Sequence, residues 1–128
     1  MEETHYLVVA LGGALGVVSR YALSRLVNSL VPFGAVPWGT VVVNTFGSFA
    51  LSYLLFASLE RLELPQEYFL FLGAGFLGAF TTFSTFTYKF FALLEESFLR
   101  SLIYSCLNLS FGFAAAYLGM IPGRGKLS

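Results

Sequence analysis

Four long apolar stretches constrain this chain more than any other feature. They run over about 6–30, 38–59, 68–94 and 98–121. A helix needs about 20 mostly apolar residues to cross the hydrocarbon core of a bilayer. Each stretch is followed by helix-breaking or charged residues. Pro32, Gly34 and Pro37 follow the first, and Glu60, Arg61, Glu63, Pro65 and Glu67 follow the second. Glu95 and Glu96 follow the third, and Gly123, Arg124, Gly125 and Lys126 make a short polar tail. Charged residues are 11% of the 128, against about 25% in ordinary globular domains. The expected architecture is an all-α integral membrane protein, with residues 1–128 as a single four-span domain.

The amino terminus reads MEETHYLVV. A signal peptide carries positive charge before its apolar core, and Glu2 and Glu3 have the wrong sign. The first stretch is therefore expected to remain as a span, giving a multi-pass protein of the cell (inner) membrane.

Several classes of function are disfavoured. The net charge is zero, so no basic face awaits nucleic acid. All seven acidic residues are glutamate, and no acid–base pair or P-loop suggests an enzyme. Cys106 is the single cysteine, which rules out an intrachain disulfide and suits a small packing residue. His5 is the single histidine and has no metal-ligand partner nearby in sequence.

With four spans, both termini share a side with the second loop. That side carries Arg61, Arg124 and Lys126, and the other carries Arg20, Arg25, Lys89 and Arg100. Lysine and arginine excess marks the cytoplasmic side, and three against four marks neither. Two outcomes fit this balance. A weak signal is overridden by other factors, or the chain inserts both ways and pairs as an antiparallel (inverted) homodimer. Such a dimer has the symmetry that many transporters build by fusing inverted repeats. Gly12 and Gly16, and Ala115 and Gly119, supply small-xxx-small faces for close helix packing.

Polar and aromatic residues recur at helical spacing inside the spans. Thr40 and Asn44 are four apart, as are Tyr104 and Asn108, and Phe83 and Phe86 are three apart. Thr81, Ser84 and Thr85 add hydroxyls to the third span. Such groups can simply bond to a neighbouring helix or to their own helix carbonyls. Alternatively, as a set, they line a pathway. Amide and hydroxyl donors with electropositive ring edges would replace water around a small, hard anion. No carboxylate lies at depth for a cation. A lysine-lined pore would hold an anion too tightly, since conduction needs weak binding.

GFLGAFTTFSTFT, at 75–87, places Gly75, Gly78 and the Thr81–Thr82 pair within the third span. These are poor helix formers, and the third helix is expected to be broken mid-membrane. Freed carbonyls are tolerated there only when buried or lining a cavity, and can coordinate a small cation such as sodium.

Three segments resemble one family, the small dual-topology fluoride channels of microbes called Fluc or CrcB proteins. They are GGALGVVSRY at 12–21, PWGTVVVNTFGSF at 37–49 and GFLGAFTTFSTFT. The resemblance implies an antiparallel homodimer with two fluoride pores. It implies pore roles for Asn44, Phe83 and Phe86, and a polar track through Ser84, Thr85, Tyr104 and Asn108. It places Thr40 in the second-span signature and Arg20 in the first, as a vestibule or structural residue. It implies a structural central Na+ held by the backbone carbonyls of Gly78 and Thr81. Some relatives carry serine where Asn108 and Gly112 stand.

The implied function is fluoride-selective passive efflux that lowers cytoplasmic fluoride. A small multidrug or guanidinium-type exporter also has four spans, but needs a buried glutamate in the first span. No acidic residue lies between Glu3 and Glu60. A non-transporting helper subunit of a membrane complex would account for the packing faces but not the polar lining.

Overall fold

The computed structural model describes residues 2–31, 36–60 and 64–125. Pro32, Gly34, Arg61, Glu63 and Lys126 lie outside the described residues. Helix α1 spans Glu2–Leu30 and α2 spans Trp38–Glu60. The third stretch is composite: α3 at Gln66–Phe69, a π-helical segment at Leu70–Leu77, α4 at Gly78–Phe80 and α5 at Ser84–Glu96. Helix α6 spans Phe98–Arg124. The described residues contain no strand. Among the described residues, four helical stretches are long and apolar enough to cross a membrane: Glu2–Leu30, Trp38–Leu59, Gln66–Glu96 and Phe98–Arg124. These match the four expected spans, with ends a few residues further out.

Local chemistry accounts for the corners. Asn28, near the end of α1, accepts a hydrogen bond from the Gly39 N–H in the first turn of α2 (3.1 Å), satisfying one of the donors that a helix start leaves open. Ser97 alone separates α5 from α6. Its hydroxyl accepts from the Arg100 N–H (3.2 Å) as an N-cap. Helix α6 ends on Gly125 in the left-handed region, φ 78°, where glycine has no Cβ penalty.

Two contacts organise the bundle. Helix α1 lies against the π-helical segment, and α2 lies against α6. In the first, a Cβ on Gly12 would strike the Phe71 carbonyl and one on Gly16 the Phe76 carbonyl, while one on Gly75 would sit 2.8 Å from the Val9 carbonyl. In the second, a Cβ on Gly119 would strike the Phe49 carbonyl, and Ala115 is buried beside it. Both small-residue faces therefore meet backbone, as close packing in lipid requires. Cys106 is exposed on α6, so it does not pack inside the chain as its apolar surroundings suggested.

Of the poor helix formers in the third stretch, the two glycines stay helical and the interruption falls at the Thr81–Thr82 pair. Gly75 stays inside the π-helical segment, and Gly78 begins α4. The helix ends at Phe80, Thr81 is extended (φ −86°, ψ 158°), and α5 starts at Ser84. Gly75 serves the approach of α1, and tertiary packing outweighs its poor intrinsic helix propensity.

Candidate functional site

Asn44 holds the interrupted segment from α2. Its Nδ2 donates to the Thr82 carbonyl (2.9 Å), and its Oδ1 accepts from the Thr82 N–H (2.8 Å). The same Nδ2 also donates to Asn108 Oδ1 on α6 (3.0 Å). Gly47, one turn along α2, gives room for this approach, because a Cβ there would strike the Thr81 side chain. The Thr82 hydroxyl accepts from the Thr85 N–H (3.2 Å) and so caps the start of α5.

These side-chain bonds alter the helix bookkeeping. A continuous α-helix would send the Thr82 N–H to the Gly78 carbonyl and the Thr85 N–H to the Thr81 carbonyl. Both donors go to side chains instead. The Leu77 carbonyl keeps its partner and also accepts from the Thr81 hydroxyl (3.1 Å). The Ala79 carbonyl accepts from Arg20 Nε on α1 (3.1 Å).

Two cavities meet at this segment. One, of about 470 Å³, is lined by Asn44, Asn108, Phe83, Phe86, Gly78 and Thr81, among others. The other, of about 240 Å³, includes Arg20, Arg25, Lys89, Thr40 and Thr85. Thr82 lines both, so the segment that Asn44 clamps forms the wall between them. The first cavity has amide, hydroxyl and aromatic walls without a carboxylate or cation, and the second has three cationic side chains. An aromatic ladder backs the first. The Phe83 and Phe86 rings are 5.8 Å apart at 74°, and the Phe86 and Tyr104 rings are 5.4 Å apart at 67°. These are the edge-to-face arrangements that ring quadrupoles favour.

The family model described as CrcB-like protein, Camphor Resistance (CrcB), matches residues 7–120. The chain belongs to the CrcB family. A relative from Thermotoga petrophila, named fluoride-specific ion channel FluC, is 55% identical over 127 residues, covering 99% of this chain and 100% of its own. Proteins of the same name from Thermus thermophilus and Methanocaldococcus jannaschii are similar at 45% and 42% identity, each aligned over 89–90% of this chain and 90% of its own. This CrcB-family chain is a multi-pass membrane protein.

The residues singled out from sequence fall into three groups in this CrcB-family fold. Asn44, Asn108, Phe83, Phe86, Gly78 and Thr81 surround the larger cavity. Thr40, Thr85 and Arg20 line the basic one. Ser84 and Tyr104 line neither cavity. Ser84 is exposed, with its hydroxyl 3.4 Å from that of Thr82. Tyr104 is fully buried behind Phe86.

Three further residues belong to this region. Ser48 lines the larger cavity. Ser52 donates to the Ala116 carbonyl (2.6 Å) and ties α2 to α6. Thr40, Asn44, Ser48 and Ser52 recur every four residues, so the spacing that picks out the first two also reaches the others. Lys89 Nζ donates to the Thr40 hydroxyl (3.2 Å). Sequence alone counted Lys89 only as a topology signal, whereas it makes a contact within the bundle.

Proposed function

We propose that this chain is a fluoride-selective channel, working as an antiparallel homodimer that lets fluoride leave the cell passively. The observation that carries this is the whole-length similarity to relatives named fluoride-specific ion channels. The chemistry of the larger cavity supports it, since a neutral amide and phenylalanine edges suit a small anion that must also be released.

In this scheme an anion is drawn first to the basic cavity of Arg20, Arg25 and Lys89. It passes Thr82 and meets Phe83, Phe86 and the amides of the larger cavity. Thr40 and Thr85 offer hydroxyls on the basic side, with Ser84, Tyr104 and Asn108 along the track. Phe83 is 71% exposed on the single chain, and an inverted second copy would cover it and complete the pore wall. Fluoride enters acidified cells as neutral hydrogen fluoride and dissociates inside. A negative membrane potential then drives the anion out with about 2.3 kcal/mol per charge per 100 mV, so no ATP site is needed.

The interrupted third helix, read as lying mid-membrane, also suits a structural Na+. The Gly78 and Thr81 carbonyls are the two whose usual donors are diverted to side chains. An antiparallel partner would double that set, in the manner of unwound carbonyls that hold sodium in transporters. The ion would supply positive charge that fixes the dimer centre, and this chain's contribution is to hold the carbonyls out of the helix.

Expression in cells that lack fluoride export tests the proposal. Restored growth in fluoride medium is expected, together with carboxyl-terminal tags reporting both sides of the membrane. No restored growth from well-expressed protein would contradict the channel. Tags on one side only would contradict the homodimer.

A further inference from the structure

We propose that the basic cavity is also a binding site for the phosphate group of an anionic phospholipid, whose acyl chain lies along the exposed face of α1. The site goes beyond the channel function proposed above and does not depend on it.

The protein does not balance the charge of this cavity. Arg20, Arg25 and Lys89 line it, and none of its lining residues is acidic. Glu95 and Glu96 share α5 with Lys89, but six and seven residues further on, which is about 9–10 Å along the axis. Both are exposed. The hydrogen bonds of the three cations go to neutral acceptors. Arg20 Nε donates to the Ala79 carbonyl (3.1 Å), Lys89 Nζ to the Thr40 hydroxyl (3.2 Å) and Arg25 to the Tyr21 hydroxyl (3.4 Å). A guanidinium has five N–H groups and an ammonium three, so most of the donors remain unspent. Charge held out of water without a counter-ion is costly, and a bound anion would lower that cost. The cavity measures about 240 Å³, far more than one water-sized ion needs. A phosphate group presents several oxygens at once, and the fork of a guanidinium matches two of them.

The surface beside the cavity points to a lipid as the carrier of that phosphate. Tyr21 and Arg25 line the cavity and are also exposed on α1, with the Arg25 guanidinium 5.8 Å from the centre of the Tyr21 ring. The cavity therefore has a mouth on the outer face of that helix. Leu11, Leu15 and Val18 are 54%, 53% and 64% exposed. Their spacing of four and three sets them on one face, and a further seven residues carries that face to Arg25. An acyl chain laid on Leu11, Leu15 and Val18 would end with its phosphate at Arg25. Tyrosine and arginine at the end of a span also sit at headgroup depth. Free phosphate would gain nothing from the apolar track. Phosphatidylcholine would bring a fixed cation back towards three others, whereas phosphatidylglycerol would not.

Trp38 is the single tryptophan and a native reporter for this site. The neighbouring Gly39 N–H donates to Asn28 (3.1 Å), and a Cβ on Gly39 would sit 2.9 Å from the Ser24 carbonyl. Both Asn28 and Ser24 line the cavity. Delipidated protein in neutral detergent is titrated with short-chain phosphatidylglycerol, short-chain phosphatidylcholine and inorganic phosphate, following Trp38 emission and the unfolding midpoint. Phosphatidylglycerol should change the emission saturably and raise the midpoint. Phosphatidylcholine and inorganic phosphate should each need at least about tenfold more for the same change. Arg25→Gln should weaken phosphatidylglycerol about tenfold, as for a lost hydrogen bond to a charged group. Arg100→Gln is the control, because Arg100 is exposed on α6 and outside the cavity, and it should leave the titration unchanged. Equal responses to the two lipids would overturn the site, as would equal weakening by Arg25→Gln and Arg100→Gln, which would mean general surface charge. Inorganic phosphate binding as tightly as phosphatidylglycerol would overturn the lipid as carrier. Fluoride efflux enters none of these readouts, so failure here would leave the channel function untouched, and failure of the channel would leave the site.

Discussion

The α1 contact and the α2–α6 contact are built from different materials. Where α1 meets the π-helical segment, Gly12, Gly16 and Gly75 bring backbone against backbone. Where α2 meets α6 and the interrupted segment, Asn44, Asn108 and Ser52 reach across. One contact works by removing side chains and the other by placing polar ones. The first holds two stretches together with no chemistry to offer a ligand. The second brings the amides of Asn44 and Asn108 together beside a cavity.

The largest effect is expected at the glycine contact. Gly16→Val would drive a branched side chain into the Phe76 backbone, and overpacking of this kind costs about 1–3 kcal/mol or more. The protein should lose its folded peak on size-exclusion in detergent. Gly13→Ala is the matched control, because its Cβ would lie 3.8 Å from the Gly75 carbonyl, an ordinary contact. Similar damage from both variants would mean that close approach is not what holds α1.

Next comes Asn44→Asp. A carboxylate cannot donate to the Thr82 carbonyl or to Asn108 Oδ1, and it adds negative charge beside the path. Each acceptor left unmatched costs about 1–3 kcal/mol, so the unfolding midpoint should fall and fluoride efflux should stop. Normal efflux from this variant would remove Asn44 from the pore wall.

Smaller effects follow at the rings. Phe86→Ile and Phe83→Ile should slow efflux severalfold or more while leaving the folded protein intact, in line with about 0.5–1.5 kcal/mol for an aromatic edge interaction. Unchanged rates in both would mean that the ring edges do not meet the ion. Smallest is Lys89→Met in the basic cavity. It should lower efflux a few-fold at low fluoride and weaken its dependence on ionic strength, as expected for electrostatic steering. An unchanged salt dependence would leave Lys89 with only its Thr40 contact.

Much of this was visible in the sequence, because lipid imposes simple rules. Span positions follow from apolar length, and the Gly12–Gly16 and Ala115–Gly119 faces follow from helical spacing. The four-residue spacing of Thr40 and Asn44 is visible too, although Ser48 and Ser52 continue it and were missed, and Thr40 lines the basic cavity while Asn44 lines the larger one. Of the poor helix formers Gly75, Gly78 and Thr81–Thr82, the sequence did not say which would end the helix: the fold uses Gly75 for contact with α1 and ends the helix before Thr81. Competition from Asn44 and the Thr82 hydroxyl for backbone donors lies beyond local propensity. Nor could spacing reveal that Arg20 reaches Ala79 or that Lys89 reaches Thr40, contacts made across 59 and 49 residues.

Anion efflux from proteoliposomes, followed with a fluoride electrode and repeated with chloride, is the measurement to make first. Rapid fluoride efflux with negligible chloride efflux is the expected result. Equal efflux of both anions, or no fluoride efflux from folded protein, would contradict a fluoride-selective path through the cavity of Asn44, Asn108 and Phe86.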